Sequence, residues 1–101
     1  MSDYMKNKAG ALIYHDTTKH SIIDVTSPRV HRVLTIGYGG SPLVPLVTVK
    51  EKDGSIIAFR IPHQLHGWAL YFFKSISNNK SPFPSDVEFG TENGYVYAEI
   101  T

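Results

Sequence analysis

The chain has no cysteine among its 101 residues. Neither a disulfide nor a thiolate metal site can therefore hold the fold together. It also has no apolar run near the roughly 18 residues that a membrane-spanning helix needs. The opening stretch MSDYMKNKAG carries charge with no apolar run behind it, unlike a signal peptide. These absences lead us to expect a flexible tail over residues 1–8, a single domain over 9–101 and a cytoplasmic setting. Basic residues are missing from one end. All ten Lys and Arg lie at or before Lys80 beside five acids, which leaves that part at +5. The last 21 residues hold Asp86, Glu88, Glu92 and Glu99 with no base, a charge of −4. Either the two ends pack together and compensate, or the surface is bipolar. Compensation is the expectation, because neighbouring opposite charges are common and modestly stabilising.

What is present centres on one stretch, Pro62 to Ser77, reading PHQLHGWALYFFKSIS. At 100° per residue, Leu65, Trp68, Ala69, Phe72, Phe73 and Ile76 fall in one apolar arc. Pro62 suits the first helical turn, where its missing N–H leaves no bond unmade. Asn78-Asn79 is expected to close the helix, since asparagine tolerates the left-handed conformation.

Strands are expected on both sides of this helix. Ala9–Tyr14 and His20–Val25 suggest a hairpin across the polar loop His15–Lys19, and Ser27-Pro28 breaks the chain. Arg29–Tyr38 reads as a strand with Val30, Leu34, Ile36 and Tyr38 on one face and His31, Val33 and Thr35 on the other. The glycines that follow are not a phosphate loop, because Pro42 and a β-branched run stand where a helix would have to begin. Leu43–Lys50 and Ser55–Ile61 form a hairpin through Glu51-Lys52-Asp53-Gly54. A two-residue turn would set Val49 against Ala58, whereas a type I turn with Gly54 left-handed sets Val49 against Ile57 and Val47 against Phe59. The second alternative gathers the apolar residues on one face and is preferred. Pro45 points to an irregular or edge position at the start of that strand. After a Pro-rich connection at Lys80–Ser85, Asp86–Gly90 and Tyr95–Thr101 pair around Asn93-Gly94. This register opposes Val87 to Ile100, Phe89 to Ala98 and Glu88 to Glu99. The fold class that results is α+β: a small, mainly antiparallel sheet of about 5–7 strands with a single helix packed on one face.

Chemistry-bearing groups are sparse. His63 and His66 sit three apart on the helix, a spacing that can share a metal or phosphate, but no third ligand accompanies them. His15-Asp16-Thr17 resembles half of a paired phosphoesterase motif without its second half. Glu88 and Glu99 have the form of a carboxylate pair, with no pocket implied around them. No cofactor or metal is expected, and a small histidine-dependent hydrolase ranks third among the functions considered. Arg29, Arg32, Lys50, Lys52 and Arg60 lie on strands, with Lys50 and Arg60 on one face. They form the nucleic-acid-binding alternative, which the modest net charge of +1 disfavours.

The first expectation is protein–protein docking by a non-enzymatic adaptor or inhibitor. Compact domains of this sort are common among accessory proteins of viruses and mobile elements. Opposite the buried arc lie His63, His66, Gly67, Leu70, Tyr71 and Lys74, an apolar centre with a polar rim, and Gly67 permits close approach. The acidic residues Asp86, Glu88, Glu92 and Glu99 are the alternative partner surface. A loop at Pro82-Phe83-Pro84 folding over Leu70 is the competing structural account, and a homodimer is left open.

Overall fold

The computed structural model describes residues 4–6, 12–14, 20–40 and 43–101. Seven strands form one sheet: β1 (Tyr4–Lys6), β2 (Leu12–Tyr14), β3 (Arg29–Gly39), β4 (Val44–Lys50), β5 (Ile56–Arg60), β6 (Ser85–Glu92) and β7 (Tyr95–Ile100). Between β5 and β6 a 3-10 turn at His63–Leu65 runs into the one α-helix among the described residues, α1 (His66–Ser77). The protein is thus a small α+β domain with a mainly antiparallel sheet, in which, among the described residues, β2 and β3 are the one parallel pair of strands. Among the described residues, no helix is long and apolar enough to cross a membrane.

The 11-residue β3 is the spine of the sheet. Along one edge its first half pairs with β6 and its last three residues pair with β2, while β4 occupies the other edge. Both predicted hairpin registers hold. Val47 faces Phe59 and Val49 faces Ile57, with Gly54 at φ +90° and Gly54 N–H bonded to Glu51 C=O at 3.0 Å. Val87 faces Ile100 and Phe89 faces Ala98, across a turn in which Asn93 and Gly94 both have positive φ. Paired positive φ values match the right-handed twist of two antiparallel strands.

Three expectations are corrected. Leu12–Tyr14 does not form a hairpin with His20–Val25. It pairs antiparallel with Tyr4–Lys6, inside the stretch read as a tail, and parallel with Gly37–Gly39. His20–Val25 is not a strand but makes one parallel bridge, Ile22 to Arg60. There the Arg60 N–H reaches Ser21 C=O and the Ile23 N–H reaches Arg60 C=O, at 2.9 and 2.8 Å. Alternating apolar residues mark a strand without naming its neighbour, which tertiary packing selects. Third, β3 carries a bulge between Val33 and Thr35. The extra residue turns His31 and Val33 onto the same face as Ile36 and Tyr38, where unbroken alternation had opposed them. The loop at His15–Lys19 and the Ser41-Pro42 pair lie outside the described residues. Gly39 itself ends β3, and Pro45 follows Val44 ahead of the first β5 pairing at Leu46.

The helix closes on asparagine as expected. Asn79 is left-handed at φ 60°, its N–H bonds to Ile76 C=O, and Lys80 N–H bonds to Ser75 C=O, the paired pattern that satisfies carbonyls at a helix end. Its buried line is Leu65, Ala69 and Ile76, which join Val33, Ile36, Val47, Val49, Val87 and Phe89 in one core. Trp68, Phe72 and Phe73, members of the predicted apolar arc, are half-buried. Relative to Ala69 and Ile76 they sit about 50–90° to either side on the wheel. They seal the margin through edge-to-face contacts, Trp68 with Phe89 at 5.7 Å and Tyr38 with Phe73 at 4.8 Å. The sheet face away from α1 buries Leu46 beside Val44 and Ala58.

Candidate functional site

Three surfaces remain once the core is assigned. The first is the outward side of α1. His63, Gly67, Leu70, Tyr71 and Lys74 are exposed and His66 is half-buried. Leu70 keeps 45% and Tyr71 67% of their surface accessible. A Cβ built on Gly67 would meet nothing within 4 Å, so the backbone there is open to close approach. The Pro82–Pro84 connection does not fold over this side. Phe83 instead packs on Trp68 at 6.4 Å and Phe72 at 5.7 Å, at the margin of the core. His63 and His66 also line an open depression of about 420 Å³ with Ile22, Pro45 and Arg60. Among the described residues, no three His, Cys, Asp or Glu are grouped closely enough to hold a metal. His15-Asp16-Thr17 lies outside the described residues.

The second surface collects four of the five candidate bases. Arg29, Arg32, Lys50 and Lys52 surround an open depression of about 740 Å³, together with His31, Glu51, Asp53 and Asp86. Register brings them there: Arg32 pairs with Lys50 on one side and with Asp86 on the other. His31, two residues from Arg29 in the unbroken first half of β3, lines the same depression. Burial lowers the His31 pKa; Glu51 opposes that shift and Arg29 reinforces it. Arg32 Nη1 lies 3.4 Å from Asp86 Oδ1 with both side chains about half exposed, a geometry that contributes little in water. The Asp53 carboxylate accepts hydrogen bonds from the Ser55 hydroxyl and N–H, which hold its pKa below the usual value. Arg60 is elsewhere. It shares the helix-free face with Lys50, but they are separated by the length of β5, roughly 13 Å at strand spacing. Its Nε donates to the His20 carbonyl at 2.6 Å.

The third surface is the acidic hairpin. Glu88 stands directly opposite Glu99, and Glu92 opposite Tyr95. Asp86 stands two residues from Glu88 on the same strand, with its carboxylate toward Arg32. Tyr97 faces Gly90 across the ladder. With no side chain in the way, its hydroxyl reaches along β6 and donates to Glu88 Oε2 at 2.5 Å. That hydrogen bond, then burial, then the charges of Glu88, Glu92 and Glu99 push the Tyr97 pKa up to about 12. The link between Tyr97 and Glu88 escaped sequence reading, although the Gly90–Tyr97 pairing implied by the hairpin register held the signal. Among the described residues the only ion pair is Arg32 with Asp86, so charge compensation between the basic body and acidic end reaches one of the four acids.

No protein-family model, curated protein or solved structure matches the chain. The surfaces are therefore weighed on their own chemistry.

Proposed function

We propose that the chain is a small non-enzymatic docking module, an adaptor or inhibitor that covers part of another protein with the outward side of α1. The observation that supports this best is the exposure of Leu70 and Tyr71 beside Gly67, over which nothing stands. An apolar centre ringed by His63, His66 and Lys74 suits a partner that offers an apolar hollow with carboxylates at its rim. We infer the cytoplasm as the compartment, on the absence of cysteine. The setting we infer is that of an accessory protein of a virus or mobile element. The test is Leu70→Asp, titrated against the protein recovered by affinity capture. An unpaired charge at the centre should weaken binding by at least about tenfold and leave the thermal melt unchanged. An unfolded variant would make Leu70 structural, and an unaltered affinity would move the interface to another surface.

A second reading rests on the gathering of Arg29, Arg32, Lys50 and Lys52 around one depression. Four such cations could follow a phosphate backbone. On duplex DNA, affinity should then fall with salt at a logarithmic slope of roughly 3–4, set by counterion release. Binding that is flat with salt, or none in dilute buffer, would dispose of this alternative.

A further inference from the structure

Two of the sheet's outer strands, β5 and β7, differ in how their edges are finished. β5 pairs with β4, and at its end the outward N–H and C=O of Arg60 are taken by Ser21 and Ile23. β7 pairs with β6 alone. Glu92 faces Tyr95 across the turn, and the Thr101 N–H donates to Asp86 C=O at 3.0 Å. In an antiparallel ladder these two facts fix the parity. Tyr95, Tyr97 and Glu99 turn their backbone groups toward β6, and Val96, Ala98 and Ile100 turn theirs outward. Among the described residues, no hydrogen bond from another element reaches those three N–H and three C=O groups. Sheet edges are ordinarily blunted by proline, lysine, a bulge or a covering segment. The β7 sequence, YVYAEI, has no proline or lysine, and its register with β6 is unbroken; the 3-10 turn at His63–Leu65 packs near this strand but takes none of those backbone groups.

The side chains beside that edge indicate what completes it. On the helix-free face stand Tyr95, 78% exposed, then Tyr97 and Glu99, with Glu88 and Glu92 behind them on β6. None of these three glutamates is in an ion pair among the described residues. A second copy adding antiparallel to this edge around Ala98 would set each Glu99 opposite the other copy's Tyr97 and bring the two Glu99 within about 7–8 Å of each other on the diagonal, which gathers the acids of both molecules at one seam. A strand bearing lysine or arginine would instead meet Glu99 and Glu88 and lay its cations over the Tyr95 and Tyr97 rings. On the other face its alternate side chains would lie beside Val96, Ala98 and Ile100, so those positions call for apolar residues.

We propose that β7 is a strand-addition site for an extended peptide segment in which basic and apolar residues alternate, a surface separate from the α1 docking side. Main-chain bonds to Val96, Ala98 and Ile100 supply the attachment, and the glutamates and tyrosines select the charge.

The whole chain is titrated with a peptide of about eight residues, a usual strand length, alternating Lys and Val, and with its Glu–Val counterpart. The Lys–Val peptide should bind and slow amide exchange at Val96, Ala98 and Ile100, and the Glu–Val peptide should not bind. Ala98→Pro removes an outward donor without touching the ladder to β6. Glu99→Lys reverses the selecting charge while relieving its opposition to Glu88, so its melt should not fall. Each should weaken binding by at least about tenfold, whereas Leu70→Asp should leave it unchanged. If Ala98→Pro does not fold, Glu99→Lys decides. The proposal is overturned by absence of binding, by binding without slowed exchange at the three amides, or by binding indifferent to Glu99→Lys. A dimer that protects those amides without peptide would also overturn it, giving the edge to a second copy.

Discussion

Gly90 is a position where a single added carbon would reach two neighbours at once. A Cβ there would come within 2.9 Å of the Tyr97 hydroxyl oxygen and 3.0 Å of the Pro28 Cα. The tyrosine can swing away but the proline backbone cannot easily do so. Gly90→Ala should therefore lower stability by about 1–3 kcal/mol, as overpacking does, and a denaturant melt would measure it. The displaced phenol would also lose Glu88, which connects this glycine to a titration. Folding raises the Tyr97 pKa from 10.0 to about 12, so between those values the folded chain keeps a proton that the unfolded chain sheds. The resulting stabilisation is fully present below pH 10 and disappears as pH rises through 12. Ultraviolet titration should find one late phenol in the parent and lose it in Tyr97→Phe. Survival of that late step in the variant would reassign it to Tyr38, whose pKa burial also raises.

The hairpin elements were the most legible in sequence, for reasons that lie in their turns. Gly54 and Asn93-Gly94 demand positive φ, and the apolar residues on either side then permit one register that buries a single face. Nothing within 4 Å would touch a Cβ on Gly54. Gly54→Ala should thus cost only the strain of a side chain held at positive φ, about 1–2 kcal/mol, and a melt left unshifted would mean the turn relaxes to another type. The bulge in β3 had no such marker. Leu34 is an ordinary apolar residue in an alternating run, and its role shows only in how β4 is met. The same holds for Ser21–Ile23, whose bond to Arg60 depends on where β5 ends. In the helix the arc was legible but its centre was not. Phe89 is fully buried and Phe89→Ala should cost about 3–5 kcal/mol. Phe72→Ala, at the half-exposed margin, should cost clearly less in paired chemical melts.

At the scale of the whole molecule, one core joins α1 to both hairpins through Val47, Val87, Phe89 and Ala69. The outward side of α1 contributes nothing to that core. This separation allows stability and docking to be moved in opposite directions by one methyl group. Gly67 sits in the first turn of α1 with open space above it. Alanine there would restrict the unfolded chain and favour the helix, so Gly67→Ala should raise stability by up to about 0.5–1 kcal/mol. That is large enough to lift the midpoint of a thermal melt by several degrees in a domain of this size. If the α1 side is the contact surface, the same methyl would hold the partner off the helix backbone beside Leu70, and affinity should fall while the melt rises. A residue that served only the fold would not separate the two readouts. A higher midpoint with undiminished binding would therefore place the contact away from Gly67, and a lower midpoint would show that the first turn of α1 is packed more tightly than its surroundings indicate.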